Sequence, residues 1–198
     1  SRRRHTRYGT VTGVQTCALP ICLLAGHSMG SLVALEAAAQ HPHLLDALAL
    51  VGTAVPMQVA DVLQQAADAN DQDAYDMITI WGHSLPALVG GGPHAPGMWL
   101  TGSSLRLLER GGHGVLGNDL RACDNYTRGA TSAGHVTVPT ALILGQLDMM
   151  TPLRAARDLH AALANSTRIE LAATGHMDRK STRLNSSHSS VSRMPSSA

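Results

Sequence analysis

The sequence is poor in aromatic residues and contains no long apolar run. Its 198 residues include no phenylalanine, and aromatic side chains make up 3% of the chain. No apolar run approaches the roughly 18 residues of a membrane-spanning helix, so we expect no membrane span. The three cysteines do not make a disulfide scaffold, and the composition is not collagen-like. With 44% hydrophobic residues, the chain has the profile of an ordinary soluble globular domain.

The two ends of the chain differ from the middle. Residues 1–21 and 178–198 are polar, basic and without helical or strand periodicity. Each residue of the first segment can be encoded by the reverse complement of a codon for its partner in the second, as for Ile21 (ATC) and Asp178 (GAT). All 21 pairs admit such codons, and both segments resemble translated sequencing adapter. We therefore interpret them as non-native flanks and leave them out of the fold prediction.

Removal of these flanks reverses the charge balance. They hold eight of the 15 basic residues and one of the 14 acidic residues, which leaves seven basic and 13 acidic residues among the 156 positions 22–177. The net charge there is −6, and no lysine is present. The lack of lysine excludes a GxxxxGK[ST] phosphate loop and a Schiff-base lysine from this stretch. Its acidic residues would repel the phosphates of a nucleic acid, so no nucleic-acid partner is expected.

Few residues suggest a disulfide or a metal site. Cys17 falls in a flank and Cys22 at its edge, which leaves Cys123 as the one secure native thiol. A disulfide framework is not expected, which fits a reducing compartment and favours a cytoplasmic location. His41 and His43 match no zinc-ligand spacing, and no cysteine or acid cluster joins them, so no metal is expected.

Short apolar runs alternate with helical patterns in two parts of the stretch. Strands are predicted at residues 22–25, 45–51, 140–145 and 167–172, and helices at residues 31–40 and 152–164. The near-continuous hydrophobicity of run 45–51 suits a parallel sheet that is covered on both faces. This alternation predicts an α/β fold with a mostly parallel sheet.

The strand pattern disappears between residues 56 and 135. Helices are predicted there at residues 57–69, 71–81, 98–110 and 115–128, and the glycine- and proline-rich stretch 89–97 predicts a flexible loop. We therefore predict a helical cap at residues 56–135, inserted between core segments at residues 22–55 and 136–177. Its large apolar residues either line an acyl pocket or pack the cap's own interior: Met57, Met77, Trp81, Met98 and Trp99.

A GxSxG motif, Gly26-His27-Ser28-Met29-Gly30, lies between an apolar run and an alanine-rich helical pattern. A nucleophile at the tip of a strand-to-helix turn needs unusual backbone angles, and small residues two positions away leave room for strand and helix to cross. The start of the helix also favours negative charge that develops near the serine. This context predicts a nucleophile elbow with Ser28 at its tip, the alternative being a plain glycine turn.

With this motif the chain resembles the α/β-hydrolase superfamily, in particular its GHSMG serine hydrolases with a helical cap. In that family the acid follows a late strand and the histidine follows the last one. LILGQLDMMTP at residues 142–152 is similar to the acid segment, and ATGHM at residues 173–177 to the histidine segment. The resemblance implies Asp148 as the acid and His176 as the base. It also implies one oxyanion donor at the backbone N–H of Met29 and another in an upstream loop, outside residues 22–177.

These residues predict a serine hydrolase. Ser28 is a weak nucleophile until a base accepts its proton, the imidazole of His176 can act as that base, and Asp148 would hold the imidazole in the correct tautomer. We expect cleavage of an ester or related small acyl compound through an acyl-enzyme, without a cofactor. The alternative is a non-catalytic ligand receptor on the same scaffold.

The resemblance also implies a partial α/β-hydrolase fold, because the family's early strands have no counterpart in residues 22–177. We therefore expect the 198-residue chain to be inactive or poorly folded even if its parent is active. The sequence leaves the oligomeric state open.

Overall fold

The computed structural model describes residues 22–89 and 100–178. Residues 1–21 and 179–198 of the predicted flanks lie outside the described residues, as does the predicted loop beyond Val89. The elements of the described part are β1 Leu23–His27, α1 Met29–Gln40, β2 Ala47–Val51, α2 Asp61–Asp68, α3 Gln72–Gly82, α4 Leu85–Leu88, α5 Leu100–Glu109, α6 Val115–Asp124, α7 Gly129–His135, β3 Thr140–Gly145, α8 Arg157–Ala162 and β4 Ser166–Leu171.

The four described strands form one parallel sheet in the order β1-β2-β3-β4. The register pairs Gly26 with Leu50 and Leu50 with Leu142. Because all strands run the same way, their carboxyl ends meet at one edge, where α/β proteins bind ligands. The predicted α/β class and parallel sheet are confirmed.

The main core lies between this sheet and the helices α1, α7 and α8. Five leucines are almost completely buried in it: Leu35 of α1, Leu50 of β2, Leu142 and Leu144 of β3, and Leu159 of α8. Burial of one leucine side chain stabilises a fold by about 1.5–3 kcal/mol. Of the strands that lead to the site residues, β3 lies in this core, whereas β4 has no buried residue.

A second cluster joins the helices between β2 and β3. Leu63 and Ala67 of α2 pack with Ala74 and Ile78 of α3. Helix α2 also contacts α6, and α3 contacts α5. We call residues 56–135 the helical segment. No helix in the described ranges is long and apolar enough to cross a membrane.

Several predicted helix bounds are wrong. The helix predicted at residues 57–69 begins only at Asp61, and the N–H of Val59, which precedes it, donates to the Asp124 carboxylate. The helix predicted at residues 115–128 ends at Asp124, and a separate helix, α7, begins at Gly129. A Cβ at Gly129 would lie 2.5 Å from Val55 Cγ1, so only glycine fits this start.

Candidate active site

Ser28 occupies a sharp turn between β1 and α1. Its backbone has φ 54° and ψ −125°, a conformation that is uncommon for a residue with a side chain. The Ser28 N–H donates to the Val51 carbonyl at 2.9 Å. The Ser31 hydroxyl hydrogen-bonds the Ser28 carbonyl at 2.6 Å and Thr53 Oγ1 at 2.8 Å. These bonds tie the turn to β2 and to the residues that follow it.

The two glycines of the motif differ in what surrounds them. A Cβ at Gly26 would lie 2.1 Å from the Gly30 carbonyl oxygen and 2.8 Å from Ala34 Cβ, so strand and helix cross too closely there for any side chain. A Cβ at Gly30 would meet nothing within 4 Å. The close crossing therefore requires glycine at position 26 and leaves position 30 open.

Asp148 follows β3 and His176 follows β4, so the parallel sheet brings both to the edge that carries Ser28. His176 Nδ1 and Asp148 Oδ2 are 2.8 Å apart, and both side chains are about 1% exposed. The N–H groups of Met150 and Thr151 donate to Asp148 Oδ1 at 2.9 and 2.7 Å. The carboxylate is thus held on both oxygens and can hold the imidazole in turn.

Thr151 is a site residue for which the sequence analysis assigned no role. Its hydroxyl donates to Asp148 Oδ2 at 2.7 Å and lies 3.1 Å from His176 Nδ1. The sequence signal is the Asp-x-x-Thr spacing, which suits a carboxylate that accepts hydrogen bonds from the following turn.

The pKa of Asp148 reflects two opposing effects. Burial alone would raise it, but the hydrogen bond and charge of His176 and the hydrogen bonds of Thr151 lower the pKa below its ordinary value. Asp148 is therefore ionised at neutral pH, which stabilises a positive charge on the imidazole.

His27 contacts the loop of His176 from the elbow. Its Nε2–H donates to the His176 carbonyl at 2.9 Å, and the two ring centroids are 4.6 Å apart. Gly52, with φ 53°, lies beneath both rings, and a Cβ there would lie 3.0 Å from the His176 ring. The sequence placed His27 in the elbow and gave no indication of this contact.

The outer nitrogen of His176 is buried and, within the described part of the chain, has no hydrogen-bond partner. The Ser28–His176 hydrogen bond of a complete triad is therefore not formed in this structure. Such hydrogen bonds often form only when substrate is bound.

The loop of His176 is also tied to the helical segment. The Met177 N–H donates to the Gly82 carbonyl at 2.6 Å. The buried Asp178 carboxylate accepts from the N–H groups of Gly175 at 2.8 Å and Ser84 at 3.1 Å. Asp178 belongs to the predicted non-native flank, and its role in this packing was not predicted.

A cavity of about 350 Å³ opens beside Ser28, Met29 and His176. Its other walls are mainly apolar and come from the helical segment and from the loops after β3 and β4: Leu63, Ile78, Trp81, Leu120, Met149 and Met177. Met29 is the first residue of α1, so its N–H has no acceptor within the helix and is available to an oxyanion. No group of three or more potential metal ligands occurs among the described residues.

Comparison with known proteins gives one family and one fold. A family model described as the alpha/beta hydrolase fold matches residues 20–178. No curated protein matches the chain. Solved structures with the same fold include an enol-lactonase from Burkholderia xenovorans LB400, at 19% identity and a TM-score of 0.71, covering 90% of this chain and 67% of that one.

Two esterases are similar in the same way. A thermophilic esterase is 23% identical with a TM-score of 0.67, covering 87% of this chain and 65% of its own. An esterase from Exiguobacterium antarcticum is 19% identical with a TM-score of 0.70, covering 90% of this chain and 68% of its own. The chain thus spans about two thirds of each relative, and its fold is partial by that measure. By its sheet, its turn at Ser28 and its family match, the chain belongs to the α/β-hydrolase superfamily.

Proposed function

We propose that this protein is a serine hydrolase that cleaves an ester or a related small acyl compound. Ser28 is the nucleophile, His176 the general base and Asp148 the residue that orients the imidazole. The observation that carries the proposal is the buried 2.8 Å pair of His176 and Asp148, which shares one cavity with the strained turn of Ser28. The esterases and the enol-lactonase among the structural relatives support the same reaction class.

In the proposed reaction, Ser28 Oγ attacks the carbonyl carbon while His176 Nε2 accepts the hydroxyl proton. The resulting oxyanion receives a hydrogen bond from the Met29 N–H. The tetrahedral intermediate then expels the alcohol, which takes the proton from His176 and leaves an acyl group on Ser28. Water attacks this acyl-enzyme with His176 again as base, which releases the acid and restores the hydroxyl.

The buried and unpartnered Nε2 of His176 is the atom that this reaction requires as proton acceptor. A small rotation or the arrival of substrate must bring it within about 3 Å of Ser28 Oγ. The lowered pKa of Asp148 supports the proposal, because an ionised carboxylate stabilises the imidazolium formed in the first step.

A fluorophosphonate probe tests the proposal, because it reacts only with an activated serine. Because the 198-residue chain itself is expected to be inactive, the test uses the full-length parent protein, which we expect to be labelled at Ser28, as located by mass spectrometry of peptides, and to hydrolyse p-nitrophenyl butyrate. Ser28→Ala should abolish both. Ser103→Ala, which removes an exposed serine of α5, is the matched control and should change neither.

A cooperative thermal transition must accompany each measurement. A full-length parent that melts cooperatively but is not labelled at Ser28 would exclude the hydrolase and favour the ligand receptor.

A further inference from the structure

The lining of the cavity beside Ser28 is mainly apolar and contains no arginine or lysine among the described residues. Thirteen of its 19 lining residues are apolar, and five of these are methionines: Met29, Met57, Met149, Met150 and Met177. Of the six polar residues, His27, Ser28, Thr151 and His176 belong to the site already described. Gln58 and Asp119 remain, and neither can neutralise a bound anion.

Asp119 gives the cavity its charge. It lies on α6 and is half-buried, and among the described residues its carboxylate accepts one long hydrogen bond, from Asn118 Nδ2 at 3.4 Å. No arginine or lysine of the described chain lines the cavity. Arg121, the nearest arginine in sequence, instead pairs with Asp68 at 2.6 Å. A carboxylate in this cavity would therefore lose water without gaining a cation.

We infer that the acyl group accepted by this cavity carries no negative charge. This inference rests on the proposed function and specifies its substrate class: esters of neutral or cationic acyl groups are accepted, and esters with a terminal carboxylate are rejected. Moving a carboxylate from water into the cavity without a cationic partner costs more free energy than its contacts with methionine side chains provide. Asp119 adds direct repulsion, whereas it attracts a cation.

The cavity volume sets the length of the group. At about 30 Å³ for each water-sized group, a volume of about 350 Å³ accommodates about 12 non-hydrogen atoms. A six-carbon acyl chain with or without a terminal charged group fits within that number. The flexible methionine side chains that line the cavity adapt to acyl chains of different shape.

Three p-nitrophenyl esters of one chain length test the inference: hexanoate, the monoester of adipate, and 6-(trimethylammonio)hexanoate. In the wild-type parent protein we expect kcat/KM for the adipate monoester to be about 100-fold below that for hexanoate. In Asp119→Asn the kcat/KM for the anion relative to hexanoate should rise about tenfold, and that for the cation relative to hexanoate should fall to a similar extent. Asp76→Asn removes an exposed charge outside the cavity and should change none of the three.

Equal rates for the anionic and neutral esters would overturn the inference, as would equal effects of the two variants. Failure of Ser28 to react with fluorophosphonate would instead refute the proposed function.

Calorimetric binding of hexanamide and of adipate monoamide tests the cavity without turnover. Hexanamide should bind and the anionic amide should not, with the difference reduced in Asp119→Asn. Failure of hexanamide to bind, or equal binding of the two amides, would refute the inference by itself.

Discussion

The turn that carries Ser28 and the two loops that carry Asp148 and His176 are built by different forces. The turn is fixed by the backbone: a left-handed Ser28, a strand and helix that cross without space for a side chain at Gly26, and one main-chain bond to Val51. The two loops are fixed by side chains, because the carboxylate of Asp148 collects hydrogen bonds from three residues.

This difference predicts different responses to substitution. A change at the turn acts through steric overlap and costs stability, whereas a change at the two loops removes a charge or a hydrogen bond and costs rate. The turn is also local, whereas the loops lie 28 positions apart and meet only because β3 and β4 are neighbours in the sheet.

The largest effect is expected for Asp148→Asn. The amide keeps the size of the side chain but loses the charge that orients His176 and stabilises the imidazolium, so kcat for p-nitrophenyl butyrate should fall about 10⁴-fold. Asp158→Asn, an exposed carboxylate at the start of α8, is the control and should leave kcat unchanged. A fall of less than tenfold in Asp148→Asn would show that Asp148 is not the orienting acid.

The next effect concerns the turn, where Gly26→Ala is compared with Gly30→Ala. The new methyl group at position 26 would overlap the Gly30 carbonyl, and we expect the free energy of unfolding to fall by about 3 kcal/mol. At position 30, in the first turn of α1, alanine meets no atom and favours helix, so stability should rise by about 0.5–1 kcal/mol. Urea unfolding of both variants measures the difference, and equal changes would contradict the steric explanation.

The smallest effect is expected for Thr151→Val, which removes one hydrogen bond from the Asp148 carboxylate. We expect kcat/KM to fall about tenfold, because the bond goes to a charged group, and Thr151→Ser to restore most of the loss. A value for Thr151→Ser as low as that for Thr151→Val would refute the role of the hydroxyl.

The same variant should alter acid stability. The folded pKa of Asp148 lies below its ordinary value, so its contribution to stability is complete above the unfolded-chain pKa of about 3.9 and is lost as the pH falls through the folded pKa. In Thr151→Val the folded pKa should rise toward the ordinary value, and the stabilisation at neutral pH should become smaller. Urea unfolding between about pH 3 and pH 7 measures this change.

Much of the fold could be predicted because its signals are local. The apolar runs at residues 45–51 and 140–145 became strands β2 and β3, and the alanine-rich run after Ser28 became α1. The hydrogen bond of the Val59 N–H with Asp124, just before α2, could not be predicted, because the two residues are 65 positions apart. The short helix α4 gave no recognisable signal in only four residues.

The candidate site could be predicted only where its residues belong to a motif that can be recognised in the sequence. Ser28 has a local motif, but the contact of His27 with the His176 carbonyl joins residues 149 positions apart. Asp119 lies in helix α6, and its sequence does not indicate which of its residues face a cavity. Residues without a motif of their own gain a role only from their neighbours in space.

The sequence by itself determined the order of strands and helices and the form of the turn at Ser28, because hydrophobic periodicity and glycine conformation act over a few residues. Tertiary structure alone decided which distant groups meet. It set the burial that turns Asp148, His176 and Thr151 into one hydrogen-bonded unit, and it surrounded Asp119 with apolar side chains. Charge, desolvation and distance then act between groups that lie far apart in the sequence.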